Sequence, residues 1–435
     1  ASLDTSRPVS PAFAFVSATS GSTGKPKLVP HGRRQLMAMS RAVGERLRIG
    51  PGDVSAHVVP LHLANGMRPA LMFSLLRGGA VEVLPAADVD ALLASIARGA
   101  ATFFTASFTF HHELFHNLQR GLYQSYGLQH EGQWDMVTEG TAMLASSVAQ
   151  PDVQFEPDSG PRAYLAATAA FLGQDRPGGG DLNRSYADIS YNGAPFWRFL
   201  YEKCAMRDGA EDPPSGMALV VRALEALYGR DAADEQSPAE FVRTFPEVMD
   251  QALAGSSCPY QGFEEGLVAF ARAIYALRLD GGRCTEPGVP AGCGFHDPAG
   301  LYPTPEAEVI HTTGRQLALG QVGQSHRGQV PSSYGIDLLE IVLDPAIDDR
   351  PLTVELHNVT GAEFRLDVWK VAERGERLVP AAAAPDPAVR GPGGALSYTL
   401  PAVDTADYNR LGLIIIREDN REAIDRRGAY TLLLR

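Results

Sequence analysis

The sequence has no uninterrupted apolar run of the roughly 18 residues that a membrane-spanning helix needs, although 45% of its 435 residues are hydrophobic. Its first 15 residues, ASLDTSRPVSPAFAF, lack the basic and long apolar regions of a secretory signal peptide. Basic residues are scarce, since 38 Lys and Arg against 51 Asp and Glu give a net charge of −13. A nucleic-acid-binding surface needs Lys and Arg in excess. We therefore expect a soluble protein with no membrane span and no nucleic-acid partner.

Cysteine is also sparse, and four residues in a chain of this length do not make a disulfide scaffold. No C-x₂-C spacing occurs, which argues against a zinc knuckle. Cys284 and Cys293 bracket the Gly/Pro-rich stretch TEPGVPAG, and a bridge there would leave Cys204 for Cys258. Three pairings are possible, and four reduced thiols are an alternative that the sequence leaves open.

The charge is unevenly distributed along the chain. Residues 1–111 hold 11 Lys and Arg against 6 Asp and Glu, a net charge of +5, whereas the remainder holds 27 against 45, a net charge of −18. All four cysteines also lie in the second part. This abrupt change indicates two pieces of different history.

The pattern of hydrophobic residues predicts three domains. Short β-rich runs alternate with helical stretches in the first, residues 1–110, which predicts an α/β fragment with a parallel βαβ arrangement. The second, residues 111–300, is mainly helical and ends in a Gly/Pro/Cys-rich linker. The third, residues 301–435, contains β-rich runs separated by polar and Pro/Gly turns, which predicts a small β-sandwich.

A glycine-rich segment, TSGSTGKPK, lies between a predicted strand and a predicted helix. Small residues let successive backbone N–H groups point at phosphate oxygens, and two lysines add positive charge. The segment is not a Walker A loop, because Pro26 occupies the place of the magnesium-binding Ser or Thr. An ordinary Gly/Ser turn is the alternative. The candidate phosphate-binding residues are Thr19, Ser20, Gly21, Ser22, Thr23, Gly24, Lys25 and Lys27.

This segment, with the later stretches PHGRRQL, VVPLHLANGM, LLRGGAVEVLP and TFFTASFTF, resembles the phosphate-binding loop and its surroundings in adenylate-forming enzymes. That superfamily includes acyl-CoA synthetases and the adenylation domains of peptide synthetases. The resemblance covers about residues 12–110 and implies ATP with Mg²⁺ as cofactors and a cytoplasmic location. The family's adenine-side motif, ribose-binding Asp and C-terminal lysine segment do not appear after residue 115. We therefore expect a phosphate loop without its adenine pocket, and no adenylation by this part alone.

A second motif, His-Glu-x-x-His, occurs within FHHELFHNLQ at residues 110–119. His112 and His116 are spaced i, i+4, so on a helix they share one face and can present two imidazole nitrogens to one metal ion. Glu113 is placed to take a proton from a metal-bound water. Glu139 follows on a second predicted helix and is the candidate third ligand. The alternative is an amphipathic helix with surface histidines and an unrelated Glu139.

The stretch from HELFHNLQ to EGTAMLA resembles the zinc-binding core of the gluzincin metallopeptidases. The resemblance implies that His112, His116 and Glu139 bind Zn²⁺ and that Glu113 is the general base. Tyr191, in YNGAPFWRFLYEK, would then supply a transition-state hydrogen bond. It also implies a peptide or protein substrate and an extracellular or periplasmic location.

The leading hypothesis is thus a zinc-dependent metallopeptidase with a C-terminal β-domain as an accessory module. The alternatives are an ATP-dependent acyl-adenylating enzyme, of which the phosphate-loop part is present, and an inactive chimeric chain. Residues 110–114 fit both resemblances, and the charge changes at the same place. This coincidence predicts a fusion of two unrelated fragments at that point.

Overall fold

The chain of this computed structural model forms two compact units, residues 1–117 and 118–435, and each is described by itself. The residues that the structure describes are 13–18, 28–46, 48–58, 71–85, 89–104, 111–112, 114–116, 118–119, 135–149, 193–207, 210–211, 213–228, 238–256, 258–280, 295, 310–312, 324–330, 333–391, 393–419 and 428–435. Among them, no helix combines the length and the apolar character that crossing a bilayer requires.

The first unit begins with an antiparallel pair of strands. Strand β1 (Phe13–Ala18) pairs with β2 (Leu28–Gly32), with Ala18 opposite Leu28. Helix α1 (Arg33–Arg46) follows β2 directly. The helix predicted to follow the glycine-rich segment therefore begins only after a second strand, which sequence analysis did not predict.

A small parallel sheet forms the rest of the first unit. Strand β3 (Val54–His57) lies between β4 (Ala80–Val83) and β5 (Phe103–Phe104), and both neighbours run parallel to it. Helix α2 (Phe73–Leu76) precedes β4, and α3 (Val89–Ala97) connects β4 to β5. Parallel neighbours need such crossover connections. One face of the sheet is covered by an apolar cluster made by Ala56, Val58 and Leu92, with Phe104 against it.

The second unit contains five described helices before its β-rich part. They are α4 (Asp135–Ala149), α5 (Ala194–Ala205), α6 (Pro213–Tyr228), α7 (Pro238–Ala254) and α8 (Phe263–Ala276), with the short pair β6 (Met206–Arg207) and β7 (Ala210–Glu211) after α5. Aromatic rings hold these helices together, because Phe196 contacts both Phe263 and Phe270, while Phe245 contacts Trp197. The indole N–H of Trp197 also donates to the carbonyl of Met136, 2.9 Å away, which ties α5 to α4.

A disulfide crosslinks this helical part. It joins Cys204 on α5 to Cys258 after α7, with the Cα atoms 4.2 Å apart, and both side chains are buried. This bond is one of the pairings that the sequence had left open. Cys284 and Cys293 lie outside the described residues.

Two stacked sheets follow the helices. One has the order β13-β12-β17-β10-β8, with β14 beside β12, and the other has the order β15-β16-β11-β18-β9. Leucine, isoleucine and valine side chains from both sheets form one buried core, so the two sheets make a sandwich. The strands are β8 (Ile310–Thr312), β9 (Gln324–Gln329), β10 (Ile336–Val342), β11 (Leu352–Asn358), β12 (Phe364–Arg374), β13 (Arg377–Pro380), β14 (Asp386–Pro387), β15 (Val389–Arg390), β16 (Leu396–Leu400), β17 (Arg410–Arg417) and β18 (Ala429–Leu434).

Helix α8 packs on the outer face of the first sheet. Arg272 on the helix lies 2.8 Å from the buried carboxylate of Asp367 on β12. The hydroxyl of Tyr275 donates to the buried carboxylate of Glu340 on β10, 3.3 Å away, and Arg278 and Arg410 pair with the same carboxylate. The helical and β-rich parts are therefore packed together within one unit.

Candidate functional site

The candidate phosphate loop, Thr19 to Lys27, lies outside the described residues, but its flanks are described. Ala18 and Leu28 lie opposite each other in the β1–β2 pair, so hydrogen-bonded strands hold both ends of the segment. Because β2 separates the segment from α1, the positive end of the α1 dipole does not follow the loop directly. The candidate phosphate donors therefore stay the loop N–H groups with Lys25 and Lys27.

The two candidate metal-binding histidines lie side by side in the first unit. Residues 111–112 and 114–116 are helical, and the i, i+4 spacing brings the Nε2 atoms of His112 and His116 to 2.9 Å from each other. Their rings meet edge to face with centroids 4.5 Å apart. His112 is buried and His116 is half-buried. At this separation, one ring can donate a hydrogen bond to the other when the tautomers are complementary.

The other members of the predicted metal site are not tested by this geometry. Glu139 is half-buried on α4 in the second unit. Glu113, the predicted general base, and Tyr191, the predicted hydrogen-bond donor, lie outside the described residues. The roles of these residues at a metal ion therefore stay predictions.

Sequence analysis did not single out His57, at the end of β3. It is 2% exposed, and within the described part of the chain neither of its ring nitrogens has a hydrogen-bond partner. Burial lowers its pKa from the usual histidine value, so the neutral imidazole is favoured. The available signal was one ionisable residue inside the apolar sequence VSAHVVP.

A cavity of about 150 Å³ lies in the second unit, where α7 and α8 meet the sandwich. Its polar lining consists of Asp250, Glu264, Glu418 and Tyr334. Burial raises the pKa of the Glu418 carboxyl, and the neighbouring Glu264 adds to the effect. Burial also raises the pKa of Tyr334. The lining is thus acidic and holds no described Lys, Arg or His.

Residues 3–156 match the AMP-binding enzyme family. Among curated proteins, a probable CoA ligase, CCL8, from Humulus lupulus is 35% identical over 72 residues, which are 17% of this chain and 12% of that protein. A CoA ligase from Gibberella moniliformis is 33% identical over 79 residues, which are 18% of this chain and 13% of that protein. The chain thus spans only a small part of these relatives. An AMP-binding enzyme domain of the acyl-CoA ligase family is supported at its N-terminus.

Solved structures share short regions with the chain. Apo MatB from Rhodopseudomonas palustris is 28% identical, with a TM-score of 0.22, over 24% of this chain and 20% of its own. ATP-bound MatB from the same organism is 30% identical, with a TM-score of 0.23 and the same coverage. The pre-peptidase C-terminal domain of a Bacillus anthracis collagenase is 12% identical, with a TM-score of 0.19, over 29% of this chain and 94% of its own. These TM-scores are too low to establish a shared overall fold.

The match to the AMP-binding enzyme family corrects the leading hypothesis. It continues past residue 110 to residue 156 and so includes His112, Glu113, His116 and Glu139. The interpretation of the protein as a gluzincin zinc metallopeptidase, and so as a hydrolase, is therefore wrong. The physical reason is that His-Glu-x-x-His defines only three positions, which an unrelated amphipathic helix can satisfy.

Proposed function

We propose that the N-terminal region binds ATP with Mg²⁺ and that the protein activates a carboxylic acid as its acyl adenylate. The observation that carries this proposal is the match of residues 3–156 to the AMP-binding enzyme family, with the glycine-rich segment inside it. The two CoA ligases that match part of the same region support a carboxylic acid as the second substrate.

The residues of the segment suit the phosphates of ATP. Backbone N–H groups between Thr19 and Gly24 can donate to phosphate oxygens, and Lys25 and Lys27 can neutralise their charge. The net charge of +5 over residues 1–111 favours an anionic ligand in this region, in contrast to the acidic remainder of the chain.

The proposed reaction is a displacement at the α-phosphorus of ATP. A carboxylate oxygen forms the new bond to the α-phosphorus, the bond between the α-phosphorus and the α,β-bridging oxygen breaks, and pyrophosphate leaves with the electron pair of that bond. Mg²⁺, bound with ATP, would offset the negative charge of the pyrophosphate. Protein groups aimed at the phosphates stabilise the charge that develops on the equatorial oxygens. Lys25 and Lys27 are the cations assigned to this role.

Calorimetric titration of the full chain with MgATP tests the proposal. We expect binding that Lys25→Ala weakens at least about tenfold, a loss of about 1.4 kcal/mol, and that Lys370→Ala leaves unchanged, since Lys370 lies on the sandwich beside Asp386. Pyrophosphate exchange into ATP should then require an added carboxylic acid. If the parent chain does not bind MgATP, or if the Lys25→Ala variant binds it equally well, the assignment of residues 19–27 as a phosphate-binding loop is refuted.

A further inference from the structure

The cavity where α7 and α8 meet the sandwich has an apolar floor. Side chains without a formal charge form most of its wall, and these are Pro246, Phe263, Leu267, Val268, Tyr334 and Ile416. The rings of Phe263 and Tyr334 meet edge to face, with their centroids 5.0 Å apart. One water needs only about 10–15 Å³ of such space, so a cavity of about 150 Å³ has room for an amino-acid side chain.

The backbone of Tyr334 also distinguishes this cavity. Its φ is 60°, a left-handed conformation that residues other than glycine seldom adopt. The backbone N–H of Tyr334 donates to the carbonyl of Arg417, 2.9 Å away, and this bond holds the conformation. Strained residues of this kind cluster at binding sites, where the strain places a side chain. Here it places the tyrosine ring in the wall of the cavity.

Carboxylates from three separate elements surround the apolar floor. Asp250 comes from α7, Glu264 from the first turn of α8, and Glu418 from the residue after β17. The Oδ1 atom of Asp250 accepts from the backbone N–H of Phe263, 2.7 Å away, which fixes the carboxylate at the start of α8. No ion pair joins Glu264 or Glu418 to another residue that the structure describes. The cavity therefore combines an apolar floor with an acidic rim.

The charges of this rim oppose one another. Glu418 is half-buried, and burial raises the pKa of its carboxyl, while the charge of Glu264 raises it further. Arg365 and Arg390 act in the opposite direction, but their guanidinium groups hydrogen-bond elsewhere in the sandwich. Within the described part of the chain, no Lys, Arg or His lines the cavity. A bound cation would supply the missing opposite charge and favour the ionised carboxylates.

The floor and the rim together select an organic cation with an apolar stem. A lysine side chain has this chemistry, because its methylene groups can lie on apolar surface while the ammonium stays at a polar edge. The ammonium also has three donors, which match carboxylates that approach from three elements. The guanidinium of arginine is a planar fork that suits a single carboxylate. Lysine therefore fits this arrangement better than arginine.

We propose that this cavity binds the side chain of a lysine exposed on a basic partner protein. The net charge of −18 over residues 112–435 favours such a partner, because opposite charge steers association. The inference goes beyond the proposed function and does not depend on it, since the cavity belongs to the second unit and the phosphate loop to the first.

The test is saturation-transfer NMR on the full chain, titrated with N-acetyl-lysine amide and with N-acetyl-norleucine amide, which lacks the ammonium. We expect the lysine compound to have a dissociation constant at least about tenfold lower, as hydrogen bonds between charged groups give. Glu418→Gln and Glu264→Gln should each reduce this preference, and Glu264 is exposed, so its substitution leaves the packing intact. Glu376→Gln is the matched control, because it removes the same charge from an exposed turn of the sandwich.

Three results would overturn the inference. Equal dissociation constants for the lysine and norleucine compounds would show that the acidic rim does not bind an ammonium. An equal loss of affinity in Glu376→Gln and Glu418→Gln would show that the net charge of the chain accounts for binding. Tighter binding of N-acetyl-arginine amide would assign the cavity to a guanidinium, and displacement of the lysine compound by Ca²⁺ would assign it to a metal ion, so either outcome would exclude lysine as the occupant.

Discussion

At the scale of single residues, Gly412 on β17 leaves room for the ring of Tyr275 on α8. A Cβ atom at this position would overlap the tyrosine ring and its hydroxyl, and Tyr275 is fully buried with its hydroxyl bonded to Glu340. We expect Gly412→Ala to lower the free energy of unfolding by about 1–3 kcal/mol through overpacking. The control is Gly391→Ala, where the new methyl group meets only the Ala395 carbonyl at 3.6 Å. Denaturant unfolding measures both, and equal midpoints would contradict the prediction.

Lys203 on α5 gives a prediction with a pH dependence. Its ammonium lies 5.5 Å from the ring centroid of Phe199, and burial lowers its pKa to about 8, against a smaller opposing effect of Glu202. Between this value and the usual 10.5, the unfolded chain binds more protons than the folded chain, so the stability that Lys203 contributes rises with pH through this window. We therefore expect Lys203→Met to be more stable than the parent at pH 7, with a difference that shrinks above pH 8.

Chemical denaturation of the Lys203 variants between pH 7 and 10 makes that comparison. Lys203→Arg is the matched control, because arginine keeps its charge over this range. Its stability relative to Lys203→Met should therefore not change with pH. A parent chain that also keeps a constant difference from Lys203→Met would show that Lys203 does not titrate in this window.

At the scale of elements, the docking of α8 on the sandwich depends on carboxylates that are buried in the sheet. Asp367 is fully buried and accepts from Arg272 at 2.8 Å and from Arg365 at 3.1 Å. Arg272→Met removes the hydrogen-bond donor that the helix supplies and leaves Arg365 as the remaining partner of Asp367. We therefore expect the free energy of unfolding to fall by about 1.5–3 kcal/mol, the range for a hydrogen bond to a charged group. The measurement is the free energy of unfolding of the second unit in denaturant.

Arg377→Met is the matched control for that experiment, because Arg377 and its partner Asp280 also link the helical part to the sandwich. Their side chains are 69% and 42% exposed, so solvent screens the pair. We expect Arg377→Met to change the free energy of unfolding by less than about 1 kcal/mol. If Arg272→Met and Arg377→Met lower the free energy of unfolding equally, the burial of Asp367 does not strengthen its ion pair with Arg272.

The elements also show what sequence reasoning could and could not predict. Strand β10 is buried and mostly apolar, with Asp337 and Glu340 as its two charged residues, and it lies in the part of the chain where the pattern predicts β-rich runs. Strand β9, QSHRGQ, carries almost no apolar signal and is held by its pairing with β18 at the edge of the sheet. Helix α7 lies in the region that the pattern predicts to be mainly helical, and it continues through Pro246, which usually ends a helix, with Phe245 and Met249 facing the core.

The candidate site likewise has some features that the sequence predicts and others that it does not. The spacing of His112 and His116 was enough to predict that their rings meet, because the helical period fixes it. It was not enough to predict chemistry, because an i, i+4 pair of histidines does not specify a metal or a reaction. The buried state of His57 depends on tertiary packing around a parallel sheet, which no local pattern encodes.

At the scale of the whole molecule, the Cys204–Cys258 bond closes a long loop in the second unit. The two residues are 54 positions apart. In the chain-entropy account, a loop of this length contributes about 4 kcal/mol by restricting the unfolded chain. We expect the double variant Cys204→Ala, Cys258→Ala to have a free energy of unfolding that is lower by up to about 4 kcal/mol. Dithiothreitol should destabilise the parent by a similar amount, and any effect of dithiothreitol on the double variant would report on Cys284 and Cys293.

The two units provide a last prediction, about how separate perturbations combine. The proposed phosphate loop lies in the first unit and the disulfide in the second, and each unit has a buried core of its own. If the two units unfold independently, the effects of a ligand on one and of a substitution in the other add within about 0.5 kcal/mol, so MgATP should stabilise the parent and the cysteine double variant equally. Differential scanning calorimetry with and without MgATP measures this. A loss of the MgATP effect in the double variant would mean that the disulfide-linked helices and the nucleotide region unfold as one cooperative system.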